Sequence, residues 1–204
     1  MALDNAVPNH HRDHPGFAGV IGLLAALSMT VGRGGDARLA AALTAVGPDD
    51  TVVDVGCGPG VAARHAARAG ASVIGVDPAP VMLRFARLLS PGLRRIRYVE
   101  GTAEALPLDD GAATVLWSIA TVHHWADVDA GLSAARRVLR PAGRLLAIER
   151  RTQPGARGLA SHGWTSQQAE AFAERCRSHG FDDVRIDEHP GGRRPALTVL
   201  AVAP

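Results

Sequence analysis

A doubly wound α/β fold is what this sequence predicts, and three observations predict it. Short β-branched runs alternate with helical segments from Thr51 onward, one buried strand runs straight into a glycine-rich turn, and the last two strand-like runs have no helix between them. Such alternation means βαβ units, and so a parallel sheet covered on both faces. The final pair reads as an antiparallel hairpin. The expectation is therefore a Rossmann-like, seven-stranded sheet, mostly parallel, that ends in a C-terminal antiparallel hairpin, with ligands above the carboxyl ends of the strands.

Taken in order, Met1 to Pro15 is polar and broken by Pro8 and Pro15, and an apolar stretch follows that reads as a helix over 16–31. Gly32 to Gly35 is a loop signal. Residues 1–33 are expected to be a mobile cap, and residues 34–204 a single domain. Asp36 can cap a helix through about Val46, with Leu39, Leu43 and Val46 on one side and Gly47-Pro48 closing it. Strands follow at Thr51–Val55, Ser72–Val76, Arg95–Val99, Thr114–Ile119 and Arg144–Ile148. Helices begin at Val61, Pro80, Val128 and Ser166. Asp183–Ile186 and Ala196–Val202 are the hairpin strands, separated by a turn with Gly191-Gly192.

Composition narrows the function. At 204 residues and 47% hydrophobic the chain makes one domain that buries roughly 70% of its unfolded surface. Every one of the 22 basic residues is an arginine, so Schiff-base chemistry and a Walker lysine are excluded. The arginines are scattered among 20 carboxylates and aromatics make up only 4%, which gives neither a phosphate-tracking stripe nor a stacking platform for nucleic acid. Cys57 and Cys176 lie far apart in no CxxC pattern, which excludes a disulfide framework and a zinc ribbon and fits a reducing, cytoplasmic setting. The longest apolar run, Phe17 to Val31, is too short for a membrane span, and nothing before it reads as an export signal. His10, His11 and His14 lack carboxylate or thiolate support, so no metal is expected there. Arg94-Arg95, Arg136-Arg137 and Arg193-Arg194 read as solvated faces. The expected partner is a small-molecule acceptor, without nucleic acid or membrane, and the expected state is a monomer or homodimer.

The strongest signal is Val52-Val53-Asp54-Val55-Gly56-Cys57-Gly58-Pro59-Gly60, a buried strand entering a glycine turn ahead of a helix of small residues. Glycine is needed where backbone turns tightly and a ligand approaches without a Cβ in the way. The spacing is GxGxG, and the nicotinamide fingerprint GxGxxG is not met, because Val61 stands where its third glycine would be. Asp54 sets negative charge beside the turn. That is poor for a pyrophosphate but suits the ammonium and sulfonium of S-adenosylmethionine. Asp77 ends the second strand 21 residues after Gly56, where a carboxylate accepts hydrogen bonds from ribose hydroxyls.

With VVDVGCGPG, IGVDPAPVML, VEGTAEALPLDD, the VHHWAD segment and RVLRPAGRLL in order, residues 48 to 150 resemble the class I S-adenosylmethionine-dependent methyltransferases, in particular the small type 11 group. The resemblance implies that Gly56, Cys57 and Gly58 lie against the methionine part of the cofactor with Asp54 nearby. It also implies that Asp77 holds the ribose, that Pro78 and Met82 flank the adenine, that Thr102, Ala103 and Glu104 edge it, and that Ser118 lies beneath. Ala142 departs from the family pattern, which shows a second glycine in its Pro-Gly-Gly turn.

On the acceptor side, His123-His124-Trp125 follows the fourth strand and Glu149 ends the fifth, so imidazole and carboxylate project from one sheet edge. A carboxylate near an imidazole fixes its tautomer and stabilises the imidazolium. This pairing resembles the base and carboxylate of methyltransferases that act on sugar hydroxyls of glycosides, and it makes His123 the expected base, with His124 the alternative. Trp125 offers a face for a sugar ring or, alternatively, a hydrophobic plug on the next helix. Arg150 follows Glu149 and is placed to meet an anionic or polyhydroxylated acceptor. The expected activity is methyl transfer to a hydroxyl of a small polar molecule. Rivals are C-methylation of a quinone-like or aromatic ring, cofactor binding without catalysis, and a nicotinamide oxidoreductase disfavoured by glycine spacing. Only Thr152 to Thr165 is available after the fifth strand, so closure of the site is expected from residues 1–33 or a second subunit.

Overall fold

The computed structural model describes residues 34–156, 158, 161–190 and 195–204. The expected cap 1–33, its helix 16–31, His10, His11, His14 and Gly191-Gly192 lie outside the described residues. The strands are β1 (Thr51–Val55), β2 (Ser72–Asp77), β3 (Ile96–Glu100), β4 (Ala113–Ile119), β5 (Leu139–Arg150), β6 (Asp182–His189) and β7 (Ala196–Val202). The helices are α1 (Gly34–Leu43), α2 (Val61–Arg68), α3 (Pro80–Leu88), α4 (Val128–Val138) and α5 (Ser166–Ser178), and a single 3₁₀ turn covers Val122–His124.

One seven-stranded sheet has the order β3-β2-β1-β4-β5-β7-β6. Strands β1 to β5 pair in parallel, and β7 runs antiparallel between β5 and β6. β1 is apolar on both faces because both faces are covered. Val53 and Val55 pack with Leu116, Leu132 and Phe172 on the side of α4 and α5. Val52 packs with Ala63, Leu83, Val115 and Trp117 on the side of α1, α2 and α3. Asp54 alternates to the second face, and there its Oδ2 accepts from Ala63 N at 3.1 Å. That carboxylate caps α2, whose N-cap position is Gly60 and has no side chain to do so.

Where elements differ from expectation, the causes are local. α1 closes at Leu43 rather than Val46, because Ala45 takes a positive φ of 45° and the Thr44 hydroxyl turns back to Ala40 O at 2.6 Å. β5 begins at Leu139, before the expected Arg144. Its extension passes through Ala142, which holds φ 60° and donates to Ala203 O at 2.8 Å. β6 is the exposed edge, and Asp182, Asp183, Arg185, Asp187 and Glu188 charge it, which guards an unpaired strand against edge-to-edge pairing. Among the described residues no helix is long and apolar enough to cross a membrane.

Candidate active site

The strand order reverses direction between β1 and β4, and ligands sit at such a switch point, outside the carboxyl ends of the strands. The turn after β1 holds Gly56, Gly58 and Gly60 at φ 69°, 51° and 77°. A Cβ on Gly56 would meet Thr121 Cγ2 at 2.5 Å, and one on Gly60 would meet the Tyr98 hydroxyl at 2.3 Å. A Cβ on Gly58 would meet no atom within 4 Å. Two of the glycines are therefore demanded by packing, and the third leaves its backbone open to a ligand.

A cleft with about 300 Å³ of empty volume lies against this turn, lined by Asp54, Gly56, Cys57, Pro59, Val61, Ala62 and Ile119. Asp77, 7% exposed, spans the ends of β1 and β2: its Oδ2 accepts from Gly58 N at 2.8 Å and its Oδ1 from Ala79 N at 2.9 Å. A carboxylate has about four lone-pair sites, so both oxygens can still accept from ribose hydroxyls. Burial pushes the Cys57 thiol well above its ordinary range, and the Asp54 and Asp77 charges push it further. It therefore stays protonated, and no thiolate competes for a methyl group beside the cleft. Among the described residues the lining carries a carboxylate and no arginine, which fits S-adenosylmethionine. Asp54, the Gly56 to Gly58 backbone and Asp77 would hold it.

The remaining residues expected at the cofactor are placed as follows. Met82 is buried under α3 and Pro78 is exposed at the end of β2. Ala103 lies in the core with Val55 and Val76. Thr102 is exposed in the loop after β3. Glu104 Oε1 accepts from Ala126 N at 2.6 Å and Asp127 N at 3.2 Å, at the start of α4. Ser118, fully buried, bonds Thr121 Oγ1 at 2.7 Å. Since the Thr121 hydroxyl donates to Val55 O at 3.0 Å, Ser118 is the donor between them. Thr121, which sequence reasoning missed, thus pins the loop after β4 onto the glycine turn.

Two residues further on, the same loop reaches the other way. His123 Nδ1 lies 2.9 Å from Glu149 Oε2, and His123 N donates to Glu149 Oε1 at 3.5 Å. Glu149 is fully buried and His123 is 4% exposed. A carboxylate only accepts, so Nδ1 carries the proton and Nε2 carries the lone pair. Among the described residues Nε2 is buried and has no hydrogen-bond partner. The result is an oriented imidazole with its basic nitrogen available.

His124 is exposed, its ring 4.0 Å from that of His123. Trp125 is the hydrophobic plug rather than a sugar platform: it is 6% exposed, edge-on to Phe172 at 6.2 Å, and so close to Gly131 that a Cβ there would meet its ring at 2.5 Å. Arg150 supports the loop that follows, its Nε and Nη2 donating to His162 O at 3.1 and 2.7 Å. The segment after β5 folds back along the strand end, with Trp164 N donating to Arg150 O and Thr152 N to Trp164 O. This brings His162 to 5.5 Å from His123, ring centre to ring centre. The sequence carries one signal for it, Gly163, whose φ of 129° no side chain tolerates and whose Cβ would sit 2.0 Å from Arg150 O.

The sheet order and the cleft are those of a Rossmann-like α/β protein, and the comparisons narrow the class. Residues 53–147 match the family model of a methyltransferase domain. A demethylmenaquinone methyltransferase of Tropheryma whipplei is 33% identical over 112 residues, covering 55% of this chain and 46% of the relative. A ubiquinone biosynthesis O-methyltransferase of Cereibacter sphaeroides is 36% identical over 111 residues, covering 53% and 44%. A solved S-adenosylmethionine-dependent methyltransferase from Aquifex aeolicus shares the fold at a TM-score of 0.69 and 17% identity, over 83% of this chain and 90% of that one. The chain spans less than half the length of the curated relatives it matches. Residues 53–147 are thus similar to a methyltransferase domain, and the solved S-adenosylmethionine-dependent methyltransferases share the chain's fold.

Proposed function

We propose that the protein transfers a methyl group from S-adenosylmethionine to a hydroxyl of a small polar acceptor, a sugar or glycoside being the leading class. The observation that carries this reading is the buried His123–Glu149 pair, with Nδ1 engaged at 2.9 Å and Nε2 unpartnered. When bound, the cofactor supplies an electrophilic methyl group on a sulfonium, which departs as a neutral thioether with the C–S electron pair. The chain supplies position and a proton acceptor. A neutral hydroxyl is a poor nucleophile, so His123 Nε2 takes its proton as the O–CH₃ bond forms, and Glu149 stabilises the resulting imidazolium. Asp54 and Asp77 hold charge and ribose on the other side of Thr121.

C-methylation of a quinone-like ring is the second reading, favoured by the likeness to a relative named demethylmenaquinone methyltransferase. Screening glycosides, phenols and quinones with methyl-labelled cofactor separates the two. Label on acceptor oxygen supports the first reading, and label on ring carbon replaces it with the second.

A further inference from the structure

We propose that His162 is the proton-exit residue of this site: the proton that His123 Nε2 takes from the acceptor passes to His162 and then to water. The inference rests on the reading of His123 as the base. Each turnover breaks one O–H bond and leaves one proton on His123, which must return to neutral before the next. His123 is 4% exposed, and its other nitrogen is committed to a fully buried carboxylate. The proton therefore has to leave from Nε2 through a neighbouring group.

Among the described residues two imidazoles stand beside it. The His124 ring lies 4.0 Å from the His123 ring, tilted to it by 44°. The His162 ring lies at 5.5 Å, tilted by 50°, a separation that one water or a small side-chain movement spans, and unlike exposed His124 its backbone is tied down by Arg150. Exposure rises along this path from fully buried Glu149 through His123 to half-buried His162. His162 is also held there by construction. Arg150 fastens its carbonyl with two N–H groups, Trp164 N donates to Arg150 O at 2.9 Å, and Gly163 permits a backbone that any Cβ would drive into Arg150 O.

The test is the exchange with water of the Nε2 proton of the His123 imidazolium, read at acidic pH by NMR on ¹⁵N-imidazole-labelled protein with no cofactor added. It is done for wild type, His162→Gln, His124→Gln and Gly163→Ala. Exchange should slow by roughly tenfold or more in His162→Gln, a fraction of the ~10²- to 10⁴-fold that a general base itself contributes. It should slow similarly in Gly163→Ala, which keeps the imidazole but displaces it, and recover in His162→Gln when free imidazole is added as buffer. In turnover, His162→Gln should lower kcat in dilute buffer, leave KM unchanged, and be rescued by the same imidazole. Unchanged exchange in His162→Gln, or slowing in His124→Gln alone, overturns the proposal. Exchange needs no methyl transfer, so a failure of the relay and a failure of the methyltransferase reading give different results.

Discussion

His123 and Glu149 are joined by two hydrogen bonds in a buried site, and two different losses follow when the pair is broken. His123→Ala should lower turnover by about 10²- to 10⁴-fold with cofactor affinity little changed. It should also destabilise the fold by about 3–5 kcal/mol, because Glu149 is left fully buried without its partner. Denaturant titration beside steady-state kinetics separates the two effects. Glu149→Gln keeps an acceptor for Nδ1 and should lose less of both, and the kinetic losses of the double variant should not add, since one proton path is involved. Asp77→Ala strips acceptors from Gly58 N and Ala79 N as well as from the ribose. It should weaken S-adenosylhomocysteine binding by roughly 1–3 kcal/mol by calorimetry and lower the melting temperature with it. Asp54, Asp77, His123 and Glu149 were legible in the sequence because strand ends fix where such side chains project. The bonds of Glu104 to the backbone at the start of α4 and of Arg150 to His162 O were not legible, because each joins segments far apart in sequence, whereas the plug reading of Trp125 fits its packing on Gly131. His162 was not legible, because its place depends on a loop folding back over 12 residues to Arg150.

Elements begin where their chemistry is local and written plainly. Val61, Pro80, Val128 and Ser166 start their helices as expected, the last through a capping box between Thr165 and Gln168. Two bounds were read less well: α1 stops at Leu43, two residues before positive-φ Ala45, and β5 starts at Leu139 and runs through positive-φ Ala142, neither turn being marked by a glycine at that position. Ala142 is exposed and sits at φ 60°, so Ala142→Gly relieves the Cβ clash and loses no packing. It should gain about 0.5–1 kcal/mol, net of glycine's unfolded-state entropy, raising Tm by about 1–4 °C in calorimetry. On α5, burial pushes the Cys176 thiol from its usual 9.0 up to about 12. The unfolded chain ionises this thiol first, so the stability it contributes is complete below about pH 9 and is lost as pH climbs toward about 12. Denaturation midpoints between pH 8 and 11 should fall less steeply for Cys176→Ala than for wild type, and identical slopes would remove the thiol from the alkaline transition.

At the scale of the molecule, the sheet order decides what the site can be. The switch between β1 and β4 opens a cleft walled by Asp54, and one loop after β4 ties that cleft through Thr121 to the His123–Glu149 pair over β5. Alternating periodicity told of the parallel sheet and its hairpin, while the convergence of the two half-sites on one loop needed the fold. An acidic lining and GxGxG spacing predict micromolar binding of S-adenosylhomocysteine, on the order of 7 to 8 kcal/mol, and no measurable NAD binding in the same calorimeter. The most direct measurement is the fate of a labelled methyl group, followed by mass spectrometry from S-adenosylmethionine into glycosides, phenols and quinones with wild type and His123→Ala side by side. The expected result is label on an acceptor oxygen with wild type, and a rate lower by about 10²-fold or more with the variant. Label on carbon, or a His123→Ala rate within about tenfold of wild type, contradicts a histidine base acting on a hydroxyl.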